Sequence, residues 1–474
     1  MAAVHSSDFI GRDPIPKLLL RFATPAVIST FINCLYNIVD RLYIGRGVGA
    51  NAQAGLSLTF PIMIILMAFG MMVGQGSSAV VSLLLGKKDV DDAEKVVGQA
   101  VAMFLLFVIT FQAIFLVFLD KILVLFGGTP EAIPYAHEYL SIILWGNVFQ
   151  HISFGMSNII RSEGNATKCM YIIALGAVLN IILGPIFIFC FKMGIAGAAY
   201  ATVIAMMCSS TWVMLHFGLK QGVLKLRFKY IRIYPKLFWR VVSIGMAPCL
   251  MQFVHSAVVI LYNHSCKHFA ESSQAATYGI AAFGITNTVM MCLLMPTFGV
   301  MQGMQPIVGY NFGAGIYMRV KKAFRLALGL GTGLCLTSAL LLLCLAPVFS
   351  ACFTKDEELI RIANYVMRAA SLGFTFIAVG MITSNYFQSI GNARLSLFFS
   401  LTRQVIFLIP VLIIMPRLIG FNGIWWSGPV SDFLGGVLAF FMFLHEMKKL
   451  DRLEASHANN NPLKQQDTTK ESKE

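Results

Sequence analysis

The residues best suited to chemistry lie in one apolar run near the amino terminus. Asp40 follows Asn33, Tyr36 and Asn37 at three- and four-residue steps, so a helix would carry amide, hydroxyl and carboxylate groups on one face. An ionisable residue inside a membrane span is costly and often marks function. We therefore predict that Asp40, with Tyr36 beside it, is a functional carboxylate that can take up and release a proton. The alternative is an Asp40 at the membrane interface, paired with a neighbouring arginine.

Uncharged polar side chains and one further acid occur in the later apolar runs. The residues predicted to line a substrate cavity, together with Asn33 and Asn37, are Gln150, Asn158, His255, Tyr262 and Asn287. Taken singly, such a residue more often forms a hydrogen bond between helices than a ligand contact. For His255, a structural histidine is the alternative to a second protonatable site. Asp432 is a secondary candidate acid, and the Gly428-Pro429 pair before it predicts a broken helix.

The patterns of common catalytic and metal sites are missing from the sequence. It contains no nucleophile elbow, no Walker A loop and no H-E-x-x-H motif. The 10 cysteines form no C-x-x-C pair, which is typical of small core residues rather than metal ligands. We predict a protein that is not an enzyme and holds no metal or cofactor. Its energy would come from an ion gradient or from a partner, and not from nucleotide binding by this chain.

Composition indicates which elements position these residues. Of the 474 residues, 57% are hydrophobic and 12% are charged, whereas soluble domains carry roughly 25% charged residues. Several apolar runs exceed the roughly 20 helical residues that cross a bilayer. Their lack of period-two alternation excludes the strands of an outer-membrane barrel.

Reading these runs between charged or Gly/Pro-rich breaks predicts twelve membrane spans. They are placed at 16–45, 54–85, 96–126, 133–160, 168–191, 194–218, 237–266, 276–312, 321–353, 359–389, 396–416 and 421–446. The division around Lys192-Met193-Gly194 is the least clear of these boundaries.

Basic residues distinguish the two sides of the predicted membrane protein. The formal net charge is +14, and most Lys and Arg residues fall in segments on the side of the termini, with Arg161 and Arg403 counted among them. The positive-inside rule therefore predicts that both termini are cytoplasmic, in a bacterial inner membrane. Membrane topology accounts for the positive net charge, so a nucleic-acid partner is not needed to explain it. The expected partner is the lipid bilayer.

The two halves of the sequence resemble each other at a nearly constant offset. Pro25 matches Pro248, and the stretch 161–167 matches 388–394 around a shared Gly-Asn pair. The glycine pairs Gly70/Gly74 and Gly299/Gly303 also match and predict close helix packing. Six spans per half make these parallel repeats, with a substrate site expected at their interface.

These observations predict an all-α integral membrane protein with twelve transmembrane helices in two pseudo-symmetric six-helix bundles. The expected regions are a cytoplasmic amino terminus at 1–15, an amino-terminal lobe of helices 1–6 at 16–218, a basic cytoplasmic linker at 219–236, a carboxy-terminal lobe of helices 7–12 at 237–447 and a polar, disordered cytoplasmic tail at 448–474.

Nearly the whole chain, from about Pro14 to Met447, resembles the multidrug and toxic compound extrusion (MATE) family, in its MepA-like branch near the DinF group. The motifs that carry the resemblance are Pro25 with the stretch 39–45, Gly74-Gln75-Gly76 with Gly86-Lys87-Lys88, the stretch 161–165, the stretch 180–185, Gln305-Pro306 and the stretch 311–315.

The resemblance implies a twelve-helix, two-lobed antiporter that exports drugs or other small, often cationic, amphipathic compounds. By the same resemblance, Asp40 is the ion-coupling residue, Asn180 is its amide partner and Pro25 is the helix hinge. The family commonly has an acid where this chain has Gly184. Because hard cations favour several oxygen ligands, we expect proton rather than sodium coupling, in a monomeric protein.

Three other functions compete with this interpretation. A lipid-linked oligosaccharide flippase of the same superfamily would carry basic residues inside its cavity, whereas the basic residues here are predicted to lie in cytoplasmic loops. A membrane-embedded transferase would need paired acids or a His/Asp cluster, and acids are sparse. A passive channel would usually oligomerise around a pore, whereas a repeat of two lobes favours a self-contained carrier.

Overall fold

The structure is a computed structural model that describes residues 7–48, 50–126 and 130–459. Within these ranges the side chains at 37, 41, 45–47, 50–51, 53–54 and 457–459 are not described. The described chain is almost entirely helical, and no β-strand occurs in it. The predicted all-α class is confirmed.

Eight α-helices make up the amino-terminal half. They are α1 (Phe9–Arg12), α2 (Ile15–Gly47), α3 (Ala50–Gly86), α4 (Val90–Val117), α5 (Leu119–Leu125), α6 (Ile133–Ser162), α7 (Ala166–Pro185, continued by a π-helical turn at Ile186–Cys190) and α8 (Gly194–Gly218).

Seven α-helices make up the carboxy-terminal half, after a linker with a short 3₁₀ turn at Phe228–Tyr230. They are α9 (Pro235–Phe269), α10 (Ser273–Gly313), α11 (Tyr317–Ala351), α12 (Glu357–Ser389), α13 (Ala393–Leu401, continued by a π-helical turn at Thr402–Leu408), α14 (Ile409–Ile419) and α15 (Asn422–Asn459).

Among the described residues, 11 helical segments are long and apolar enough to cross a membrane. The remaining predicted span is α6, which is 30 residues long but carries Asn147, Gln150 and His151 near its middle. His151 is buried, with its ring nitrogens 2.8 Å from the carbonyl oxygens of Asn147 and Leu66. These polar groups lower the hydropathy of α6, and inside the protein the His151 ring is hydrogen-bonded, whereas the Asn147 side-chain amide has no hydrogen-bond partner among the described residues.

Local sequence signals set several helix boundaries. The side chains of Asp89, Ser272, Asp356 and Asn392 accept hydrogen bonds from backbone N–H groups in the first turn of α4, α10, α12 and α13, as N-cap residues do. The matched turns of the repeat end α6 and α12 with glycine at positive φ, since Gly164 has φ +103° and Gly391 has φ +79°. The repeated sequence thus builds the same turn twice.

The carboxy-terminal segment differs from its prediction as a disordered tail. Helix α15 continues to Asn459 because the segment packs against α11. Leu450 is buried, Asp451 pairs with Lys321 at 2.5 Å, and Glu454 accepts the N–H of Met318 at 3.2 Å. The prediction of disorder is wrong for 448–459, and residues 460–474 lie outside the described chain.

Glycines allow the two halves to approach closely. A Cβ on Gly245 of α9 would collide with the Met72 carbonyl of α3, and one on Gly303 of α10 would collide with the backbone of Ala23 in α2. Close contacts of this kind join α3 to α9 and α2 to α10. The close packing predicted for Gly299 and Gly303 is confirmed.

Hydrogen bonds between the halves are concentrated at the end of the molecule that holds the amino-terminal segment. The Ile10 carbonyl accepts from Asn311 Nδ2 at 3.2 Å and from Arg319 Nη2 at 3.0 Å. Tyr310 donates to Asp8 at 3.2 Å, and Gln305 donates to the Gln75 carbonyl at 3.3 Å. Most of the hydrogen bonds that join the halves therefore lie at this end.

Candidate functional site

A cavity of about 620 Å³ lies between the two halves, and both contribute to its wall. Ligand pockets for drug-sized molecules fall in the range of roughly 300–1,000 Å³. Most of the exposed wall area is apolar and includes Met and Phe side chains, but many Asn, Gln, Ser and Thr side chains and a few charged ones also line it. Such a wall combines adaptable apolar contact with many groups that can form hydrogen bonds.

In the amino-terminal half, three helices bring a small polar cluster together. Asn180 of α7 donates from Nδ2 to Thr202 Oγ1 of α8 at 2.8 Å, and Tyr36 of α2 lies close to the same Thr202. Asp40 lies one turn beyond Tyr36 and is buried, with 8% of its surface exposed. The structure thus gathers the three residues predicted for ion coupling on neighbouring helices.

Gly184 of α7 faces Tyr43 of α2, close in sequence to Asp40. A Cβ at this position would lie 3.5 Å from the Tyr43 ring, and Tyr43 follows Asp40 by one turn of α2. The distance is an ordinary van der Waals contact, so there is room for a side chain. A side chain at this position would therefore point towards Tyr43, whereas Gly184 supplies no carboxylate here.

Most residues predicted to line the cavity do so. They are Asn33, Gln150, Asn158, His255, Tyr262, Asn287 and the secondary acid Asp432, together with Tyr36 and Asn180. The side chain of Asn37 lies outside the described residues. Pro25 lies inside the continuous helix α2, and its role as a hinge stays a prediction.

Asp432 forms an ion pair with Arg403, a residue that the sequence analysis counted with the cytoplasmic charges. Arg403 was counted among the basic residues on the side of the termini, although it falls within the predicted span 396–416. It lies in the π-helical turn that continues α13, lines the cavity and donates from Nη1 to Asp432 Oδ1 at 2.9 Å. Counting Arg403 with the cytoplasmic charges is wrong, because Arg403 and its neighbours Ser400 and Gln404 line the cavity. The predicted break at Pro429 is also wrong, since α15 is one continuous helix.

Arg161 requires a similar correction. It is 4% exposed, lines the cavity and belongs to the last turn of α6 rather than to a loop. Five polar side chains at the closed end of the cavity, here called the cavity floor, are Gln75, Asn158, Arg161, Gln305 and Gln388. Sequence reasoning missed Arg161. The repeat could have identified it, because Arg161 matches Gln388, and Gln388 falls inside the predicted span 359–389.

The MatE family profile matches residues 25–186 and 253–414. This chain belongs to the MatE family. The two matched stretches are equal in length and coincide with the two halves, which confirms the sequence repeat. Membership makes this MatE chain a transporter and not an enzyme.

Named relatives cover nearly all of the MatE chain. The multidrug export protein MepA of Staphylococcus aureus (strain NCTC 8325 / PS 47) is 24% identical over 442 residues, covering 92% of this chain and 94% of that protein. MepA of Staphylococcus haemolyticus (strain JCSC1435) is 23% identical over 437 residues, with the same coverage.

Solved structures share the fold. A MATE protein in a bent conformation superposes with a TM-score of 0.88 at 22% identity, covering 96% of this chain and 99% of that one. A transporter of the MOP superfamily from Pyrococcus furiosus Vc1 (DSM3638), described as having a binding pocket of reverse polarity, superposes with a TM-score of 0.87 at 22% identity, covering 94% and 98%. The predicted MATE architecture of two related bundles is confirmed.

Proposed function

We propose that this MatE chain exports drugs or other small amphipathic compounds by alternating access, driven by protons that flow inward through the Asp40 region. The observation that carries the proposal is the cavity between two related halves, which has the volume of a drug-sized ligand and a largely apolar wall. The similarity to MepA multidrug export proteins over nearly the full chain supports the same substrate class.

Closure at one end supports the direction of transport. The halves are joined beside the amino terminus by glycine contacts and by hydrogen bonds to Ile10. With the amino terminus in the cytoplasm, as the charge distribution predicts, this conformation closes the cavity to the cytoplasm. Rocking of one bundle against the other would open the opposite state.

The composition of the amino-terminal cluster supports a proton as the coupling ion. Asp40 has Tyr36, Thr202 and Asn180 nearby, whereas Gly184 supplies no carboxylate. One carboxylate with neutral oxygen groups is suited to carrying a single proton and provides few ligands for a hard cation.

The experiment that tests this proposal is ethidium efflux from proteoliposomes that contain the full chain, with pH and sodium gradients imposed separately. We expect efflux that follows the pH gradient and is unchanged by the sodium gradient. Efflux that follows only sodium would overturn proton coupling, and no efflux under either gradient would overturn drug export.

One observation favours the flippase alternative. Arg161 and Arg403 line the cavity, so basic residues are not confined to loops as the sequence suggested. Arg403 is neutralised by Asp432, however, so only Arg161 remains as an uncompensated cation among the described residues of the cavity wall. If neither gradient moves ethidium, a fluorescent lipid-linked sugar should be tested next in the same vesicles.

A further inference from the structure

Arg161 is a buried guanidinium group with spare hydrogen-bond donors at the cavity floor. Its Nη1 donates to Asn158 Oδ1 at 3.0 Å and its Nη2 donates to Cys169 Sγ at 3.3 Å. Its Nε has no partner, although a guanidinium offers five N–H donors in a planar fork. One neutral oxygen and one sulfur leave most of this donor capacity unused.

No carboxylate compensates the charge of Arg161. None of the salt bridges among the described residues includes it, and Glu163, the nearest acid in sequence, is engaged elsewhere. The Glu163 carboxylate lies 3.3 Å from His216 Nε2 and accepts the Val223 N–H at 3.1 Å. A buried cation without a counter-ion is costly, so its position on a cavity wall calls for an explanation.

The repeat shows that the fold does not require a cation here. In the carboxy-terminal half, Gln388 occupies the matching position and also lines the cavity floor. It is satisfied by a neutral contact, since its Nε2 lies 3.4 Å from Gln75 Oε1. The positive charge is thus specific to the amino-terminal half.

The remaining charges on the cavity wall cancel. Asp432 is the only carboxylate among the described residues that line the cavity, and it is paired with Arg403 at 2.9 Å. Arg161 is therefore the one uncompensated fixed charge on this part of the wall, in a site where an anion would be held by charge-assisted hydrogen bonds.

We infer that Arg161 binds an anionic group of the transported compound at the cavity floor. The substrate class is an amphipathic anion or zwitterion whose carboxylate or phosphate docks on Arg161, while its apolar body contacts the Met and Phe side chains of the wall. This inference rests on the proposed export function, and it extends the substrates beyond the cations that the family resemblance implies.

A matched pair of dyes tests the inference by binding. Rhodamine 110 carries a free carboxylate, and rhodamine 123 is its methyl ester, so the two share one ring system. Binding to the purified full chain in an uncharged detergent is measured by fluorescence anisotropy. We expect the acid to bind roughly tenfold more tightly than the ester, as one charge-assisted hydrogen-bonded pair provides.

Substitutions connect that preference to Arg161. In Arg161→Gln, which installs the residue of the other half, the ratio of the two Kd values should fall to about one, whereas Arg161→Lys should keep part of the preference. Asn158→Asp should also abolish it, because the new carboxylate would lie at the oxygen that already accepts from Arg161. Arg325→Gln removes an exposed arginine outside the cavity and should leave the ratio unchanged.

The outcomes separate this inference from the export proposal. Equal binding of both dyes to the wild-type chain, or a preference that survives in Asn158→Asp and in Arg161→Gln, overturns the anion site. Asn158→Asp decides the matter alone if Arg161→Gln fails to fold. Export of ethidium and rhodamine 123 without any preference for the acid would leave the export proposal standing and remove the anion site. Failure of all dye transport would remove the export proposal, and the binding ratio would still decide the anion site.

Discussion

At the scale of single residues, Asn180 connects the helices of the predicted ion site. Its Nδ2 donates to Thr202 at 2.8 Å, and Thr202 also contacts Tyr36. Asn180→Ala should lower the rate of ethidium efflux about tenfold, because loss of one buried hydrogen bond costs about 1–2 kcal/mol and loosens the cluster beside Asp40. The measurement is initial efflux rate per expressed protein. Asn263→Ala, on a separate surface of α9, is the matched control, and an Asn180→Ala rate equal to that control would contradict the role.

The Arg403–Asp432 pair gives a prediction about stability. Asp432→Asn leaves Arg403 without its counter-ion and should lower the free energy of unfolding by about 2 kcal/mol, less than for a fully buried pair because a quarter of the Arg403 side chain is exposed. The double variant Asp432→Asn/Arg403→Gln should regain part of this loss. Thermal unfolding followed by tryptophan fluorescence provides the measurement. A double variant less stable than Asp432→Asn would argue against an electrostatic origin.

Residue-scale reasoning from sequence succeeded where neighbours share a helix. The three- and four-residue steps from Asn33 to Asp40 predicted one polar face, and the structure places Asn33 and Tyr36 on the cavity wall. The pairing of Asp432 with Arg403 joins residues 29 positions apart on different helices, and no helical periodicity reports such a contact. The burial of Arg161 was not predicted for a related reason. From sequence alone, an arginine at the end of an apolar run cannot be distinguished from a charged residue in a loop.

At the scale of helices, the glycine contact between α3 and α9 gives the sharpest prediction. Gly245→Ala would place a Cβ against the Met72 carbonyl, which is backbone and cannot rotate away. We expect the two helices to separate, with weaker closure at the amino-terminal end and a several-fold loss of efflux. Gly333→Ala in α11 has open space around the new methyl group and is the control. Protease accessibility of the amino-terminal segment and the efflux rate are measured on the same preparations. Wild-type values of both for Gly245→Ala would contradict the prediction that close packing of α3 against α9 keeps the cavity closed at the amino-terminal end.

The least clear of the predicted boundaries, around Lys192-Met193-Gly194, agrees with the structure. The predicted span 194–218 agrees with α8, because the helix is broken at Lys192 and Gly194, which both have positive φ. The extent of α15 was not predictable from composition, because its last turns are polar and are held by tertiary contacts such as Asp451 with Lys321. Local hydropathy reports burial in lipid, whereas this extension depends on packing against α11.

At the scale of the whole molecule, two cysteines report on the relative motion of the halves. Cys34 of α2 and Cys292 of α10 have their Sγ atoms 3.8 Å apart, so mild oxidation should join the helices. If the halves rock during transport, the cross-link should stop efflux, and a reductant should restore it. Cys292→Ser is the control and should be insensitive to oxidation. Full efflux by a cross-linked protein would mean that α2 and α10 do not separate during the cycle.

The central claim is that Asp40 couples ion flow to export, and ethidium efflux by Asp40→Asn tests it most directly. The variant is compared with wild type in proteoliposomes under an imposed pH gradient, at matched protein content. Asp120→Asn, which removes an exposed acid, is the control. We predict that Asp40→Asn folds and binds ethidium but shows no efflux driven by the pH gradient, whereas Asp120→Asn behaves as wild type. Efflux by Asp40→Asn at the wild-type rate would contradict the account.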